Sequence, residues 1–222
     1  ISNNYIKENK MRISNLERER RSLILDKSLN VICYGYDDIY YNQDAKNYIL
    51  KNGLDQNYTI QECFEGTLLS LFNYNGKWFL STRQCIDSKN SKWTSDKSHY
   101  EMFLDCIDIS FNEFTSYLDQ NLNYFFVIVH YENKNIVDYS EYFEKDNYKE
   151  VIHVMTRERD TNKEIDLNDE TQWKVKPNFR VPKKLKSDEN GDVVFEHIDN
   201  DSTLTLNQPE MFENFLKLDE LN

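Results

Sequence analysis

Short apolar runs alternate with polar punctuation along most of this chain, a pattern that favours β-structure. Residues 21–26 (RSLILD) and 30–35 (NVICYG) read as two strands joined by a turn at 27–29. From residue 59 to residue 85 the pattern is a meander, TIQECF, GTLLSLFNY and KWFLSTRQC, with Asn75-Gly76 between the last two runs. Asn-Gly between apolar runs is the strongest short-range hairpin signal, because both residues accept the positive φ of a type I′ turn. The expected strands are 59–63, 67–74 and 77–82, consecutive and antiparallel. Residues 98–118 are helix-like, with Phe103, Ile107 and Phe114 near one face. The unbroken apolar run at 124–130 (YFFVIVH) marks a strand buried on both faces, and 136–139 and 150–156 follow as strands. Polar residues 5–20 permit a helix with a thin apolar stripe. A short helix is expected at 43–51 and a helix-like tail at 209–218.

The pattern divides the chain into an N-terminal helical segment at 1–20, a core at 21–160, and a charged extension at 161–222 in which periodic segments are few. At 222 residues the chain is long enough for one large domain with a real core. Only five glycines and three prolines occur, so the turns must rely on Asn and Asp, which tolerate left-handed backbone. The fold class expected is α+β.

Charge narrows the function. A net charge of −12 argues against a large nucleic-acid footprint, which normally shows as a basic face, and fits a protein that docks on a basic partner. Within it, Lys183-Lys184-Leu185-Lys186 is a basic island, read as a solvated loop. Cys33, Cys63, Cys85 and Cys106 show no paired spacing, and His99, His130, His153 and His197 are isolated from one another. The cysteines are therefore read as small hydrophobes, Cys63 as a buried one on a strand, and the histidines as structural or exposed. No metal site is expected. No apolar run approaches the ~18 residues of a membrane span, so an intracellular protein with no membrane contact is expected.

Chemistry concentrates near the hairpin, at Glu62-Cys63-Phe64-Glu65-Gly66-Thr67. This run resembles the signature of covalent nucleotidyltransferases of the phage and viral RNA ligase type, Lys-x-Asp-Gly preceded by Glu and followed by Ser or Thr. Here Glu stands for Asp, and Cys63 stands where the family has its lysine. The flanks resemble the family in order: Arg21-Ser22 before the first strand, Ser81-Thr82-Arg83 closing the third, Phe126-Val127, then Asn133-Lys-Asn-Ile136-Val137, and Arg157-Glu158. The resemblance spans roughly residues 18–160.

What the resemblance implies is a nucleotidyltransferase-like core of antiparallel sheets with peripheral helices. Its site would draw on Arg21, Glu62, Cys63, Glu65, Gly66, Thr67, Arg83, Val127 and Arg157. The ligand would be ATP or GTP with magnesium, or RNA held weakly. The departures imply that standard adenylylation is lost. Cys63 cannot form the lysine's phosphoramidate, and a thiol flanked by two carboxylates is a poor replacement. Val127 replaces the acid of the family's Phe-Glu pair. An RNA-ligase-like pseudoenzyme is what the resemblance then implies, bound to nucleotide or to protein partners, in a viral assembly among the settings open to it; the alternatives are an active enzyme using another lysine such as Lys77, and a pure interaction module.

Overall fold

The computed structural model describes residues 23–36, 47–48, 60–133, 135–177, 179–187 and 193–194. Arg21, His197 and the helices expected at 5–20 and 209–218 lie outside them, as does the 43–51 helix apart from Asn47 and Tyr48, which are helical. The chain divides into two compact units: Ile1–Asn52 with Phe64–Val181, and Gly53–Cys63 with Pro182–Asn222. The architecture is α+β, built from antiparallel ladders with few helices.

The first unit centres on a five-stranded antiparallel sheet. Its strands are β4 (Thr67–Tyr74), β5 (Lys77–Thr82), β6 (Leu122–His130), β7 (Lys149–Glu158) and β8 (Glu164–Ile165), in the order β5-β4-β6-β7-β8. β4 and β5 have the bounds that the pattern predicted. They meet at Asn75 (φ 52°) and Gly76 (φ 77°), both left-handed, as a type I′ turn requires. The side chain of Asn73 accepts from the Gly76 amide at 3.1 Å and pins the turn. A separate hairpin, β1 (Leu23–Leu25) with β2 (Val31–Tyr34), also matches expectation. Its loop contains no glycine. The carboxylate of Asp26 accepts from the amides of Ser28 (2.8 Å) and Asn30 (2.9 Å), and Leu29 takes the left-handed position at φ 66°.

β6 is buried along nearly its whole length, because both faces of the sheet are covered. On one face Leu69, Leu71, Tyr124, Phe126 and Ile128 pack with Met102, Phe103, Phe114 and Leu118. The ring centroids of Phe103 and Phe114 lie 5.4 Å apart, and Phe126 is 5.8 Å from Phe103. On the other face Phe72, Phe125 and Met155 pack with Ile32 and Cys33, while Phe64, Val129 and Ile152 pack with Tyr139 and Tyr148. Between Phe125 and Phe126 the register jumps from Met155 to His153, so β7 carries a bulge at Val154. The buried ring of His153 bonds the Thr156 hydroxyl across it at 2.8 Å.

The single helical stretch expected at 98–118 is two helices, α1 (His99–Ile107) and α2 (Phe111–Ser116). Local chemistry explains the break. Asp108 turns left-handed (φ 53°) and ends α1, and the Ser110 hydroxyl caps α2 by accepting from the Glu113 amide. α1 itself begins on a reciprocal Ser98–Glu101 capping box.

Three further expectations change. The 59–63 strand is two residues long, β3 (Ile60–Gln61), and it does not pair with β4. It pairs with β9 (Lys184–Ser187), which also pairs with β10 (Val193–Val194), in the second unit. A strand has two edges, and those of β4 are taken by β5 and β6. The basic island read as a loop accordingly supplies the start of β9. Residues 136–139 form no strand, because side chains rather than a ladder hold that backbone. Among the described residues, no helix is long and apolar enough to cross a membrane.

Candidate functional site

The Glu65-Gly66-Thr67 run forms the entry to β4. Gly66 is needed there by close approach: a β-carbon on it would overlap the carbonyl oxygen of Ile128 and come within 2.6 Å of Val127 Cγ1. Val127 is half-buried and packs against the cluster that contains Phe64 and Tyr139, so an apolar side chain occupies apolar surroundings. Arg83 is exposed and follows directly on Thr82, whose partner across the hairpin is Leu69. Register therefore brings Glu65, Gly66, Thr67, Arg83 and Val127 to one end of the sheet.

Arg157 does not join them. Its ladder partner is Asn123, four residues along β6 from Val127, or about 13 Å at the rise of an extended strand. It is 7% exposed, and its guanidinium lies over the Tyr34 ring at 5.2 Å. Glu62 and Cys63 belong to the second unit. There the Glu62 amide donates to the Lys183 carbonyl (3.0 Å), and the Lys183 amide donates back to the Glu62 carboxylate (2.9 Å). Cys63 is exposed and stands beyond the end of β3, not buried on a strand as expected. Trp78 packs into the core against Tyr124, whereas Trp93 is 76% exposed. Lys77 sits at the hairpin tip opposite Tyr74, seven residues along β4 from Thr67, or about 23 Å.

What sequence reasoning missed is a clamp. The Asn133 amide nitrogen donates to the Thr67 hydroxyl at 2.9 Å, and Asn135 donates to the Glu65 carbonyl at 2.9 Å. The Val137 amide donates to the Glu65 carboxylate at 2.7 Å, and the Glu65 amide donates to the Tyr139 hydroxyl at 2.7 Å. Two sequence elements about seventy residues apart are thereby joined by four hydrogen bonds. The only advance signal was the recurrence of Asn beside Ile136-Val137, a combination too common to identify a contact.

A second cluster stands beside this clamp. One ligand atom each of Asp105, His130 and Glu132 lies within 4.8 Å of the others. The donor set nevertheless fits a charge network better than a cation. His130 Nδ1 accepts from the Glu132 amide at 3.1 Å, so its ring hydrogen sits on Nε2, which faces Asp105 at 3.5 Å with no lone pair to offer. The Lys97 ammonium already bridges Asp105 (2.6 Å) and Glu132 (2.7 Å), and Lys149 reaches Asp105 at 3.3 Å. Lys97, followed by Ser95, holds the Glu132 carboxyl down to about 2, and Lys97 also lowers that of Asp105. Burial keeps His130 below its ordinary range. Burial likewise lowers His99, whose ring bonds Ser91 at 2.8 Å, and pushes the Cys33 and Cys106 thiols up to about 12.

No family model matches the chain. A 90-residue stretch is 33% identical to a protein named Immediate-early protein ICP-46 homolog, from Invertebrate iridescent virus 3. That alignment covers 36% of this chain and 20% of the viral protein, so the chain spans only a small part of the relative it resembles.

Proposed function

We propose that this chain is an RNA-ligase-like nucleotidyltransferase domain that has lost lysine–nucleotide chemistry. It would be retained to bind a nucleotide or RNA, or to serve as a structural subunit, in a viral setting. The observation that carries this reading is the clamp of Glu65 and Thr67 by Asn133, Asn135 and Val137. Two elements that resemble the ligase family in sequence order are in direct contact, as parts of one site would be. Gly66, pressed against β6, supports the same reading, since the signature's glycine has a steric reason to be there.

The ligands the resemblance implies are ATP or GTP with magnesium. Thr67 and Arg83 are the candidate phosphate partners, and Arg157, buried under the β1–β2 hairpin, is a poorer one. Loss of covalent chemistry follows from Cys63, because the phosphoramidate needs an amine placed in line with the α-phosphate. Lys77 is a poor substitute at the far end of the hairpin. The similarity to a viral immediate-early protein supports a viral origin and a role among other viral proteins.

The test uses radiolabelled ATP and GTP with magnesium. The native chain is expected to stay unlabelled, and calorimetry is expected to detect nucleotide binding that weakens in Arg83→Ala. Labelling restored by Cys63→Lys would show a pocket that lost only its nucleophile. Labelling of the native chain that survives Cys63→Ala would overturn the pseudoenzyme reading, and absence of nucleotide binding would overturn the nucleotide role.

A further inference from the structure

Between Asn135 and Tyr148 the chain folds around aromatic rings. Tyr142 meets Phe143 at 4.9 Å and Phe64 at 5.7 Å, and Tyr139 meets Tyr148 at 6.1 Å. Tyr139 and Tyr148 are buried, but Tyr142 is 42% exposed, Ile136 84% and Val137 39%. All three belong to one braced segment: the Val137 amide is bonded to the Glu65 carboxylate, and Tyr142 meets the ring of the neighbouring Phe64. Apolar side chains exposed singly need no explanation, but three within seven residues of one braced segment point to an interaction site.

The surroundings state the partner's charge. Asp138, Glu141, Glu144 and Asp146 are exposed on the same segment, with Lys145 the one basic residue among 136–148. The rings already carry a cation of this chain. The Arg180 guanidinium lies 5.1 Å from the Phe143 centroid and 5.7 Å from that of Tyr142, where the ring quadrupole attracts positive charge.

We infer that this aromatic and acidic shelf docks a basic, arginine-bearing segment of a partner protein. The partner's guanidinium groups pair with the exposed carboxylates and lie on Tyr142 as Arg180 does, while its apolar side chains cover Ile136 and Val137. A nucleic acid is disfavoured on this surface because its phosphates would meet four carboxylates. This docking requires no bound nucleotide.

The probe is a fluorescein-labelled peptide alternating arginine and leucine, titrated with the full chain and followed by anisotropy. Binding is expected to weaken about tenfold in Ile136→Ser and in Tyr142→Ser, as for residues central to an interface. It should also weaken with added salt and in a Glu141→Lys/Glu144→Lys double variant, whose exposed sites leave the fold intact. A control reversal of exposed acids elsewhere, Asp169→Lys/Glu170→Lys, should leave it unchanged. Equal loss in the control would overturn the inference by showing diffuse charge attraction. Undiminished binding in the Ile136 and Tyr142 variants, or equal binding of a glutamate–leucine peptide, would overturn it as well.

Discussion

The amide nitrogen of Asn133 donates to the hydroxyl of Thr67 across 2.9 Å, and so ties the loop after β6 to the first residue of β4. Asn133 is only 3% exposed, so its amide has no water to fall back on. Asn133→Leu, which keeps the size and removes the donor, is expected to cost roughly 0.5–1.5 kcal/mol, the usual net worth of a hydrogen bond, because the half-buried Thr67 hydroxyl left behind can turn to water. Urea unfolding should show a lower midpoint with an unchanged slope. Hydrogen exchange should become faster at the Val137 amide, which depends on the same clamp.

Gly66 is expected to tolerate no side chain. Gly66→Ala would drive a methyl into the Ile128 carbonyl and the Val127 side chain, and overpacking of this kind costs on the order of 1–3 kcal/mol. The double variant Gly66→Ala/Val127→Ala separates the two clashes. It should recover little stability, because the backbone oxygen stays where it was; full recovery would show that Val127 alone sets the limit.

Stability should fall with acidification through His153. Its ring is buried among Tyr124, Phe126 and Trp173, and burial lowers its pKa from 6.5 to about 3. A depressed histidine stabilises the fold fully above 6.5, and that contribution drains as pH falls from 6.5 towards 3, by roughly 1.36 kcal/mol per pH unit. Urea midpoints measured across that range should show the slope, and His153→Phe should flatten it. His99 and His130, also depressed, leave a residual slope in the variant.

Leu29 is a place where the fold can be improved. It is 76% exposed and holds φ at 66°, a conformation that costs an ordinary L-residue about 1–2 kcal/mol. Leu29→Asn or Leu29→Gly should raise the thermal midpoint by a few degrees for a gain of about 1 kcal/mol. A fall in the midpoint would mean that the Leu29 side chain makes contacts that outweigh the strain.

How far the sequence reaches is visible in particular elements. The β4–β5 hairpin, the β1–β2 hairpin, and the long buried strands β6 and β7 were all legible. Each is written in local terms: a turn residue that accepts positive φ, or an apolar run whose length and period leave one solution. The α+β class follows from those same signals. The helical break at Asp108 was present as Asp-Ile-Ser, but an apolar stripe running through it concealed the cap.

Only the tertiary structure decided which elements meet. β3 lies five residues before β4, yet its ladder partner is Lys184–Leu185, because pairing depends on free strand edges rather than on chain order. The same holds for the candidate site. Glu65, Gly66 and Thr67 were chosen from a local motif, but the Asn133, Asn135, Val137 and Tyr139 groups that hold them arrive from another part of the chain. Arg157 was chosen with them and stands apart, since its place is set by the register of β6 and β7, a sum over many pairings. The histidines looked isolated in sequence, yet His130 joins Asp105, Glu132 and Lys97 through a strand end, a helix and a turn. Hydrophobic period and turn chemistry act within a few residues and can be read from them. Charge networks and clamps form between surfaces that exist only once the core has closed.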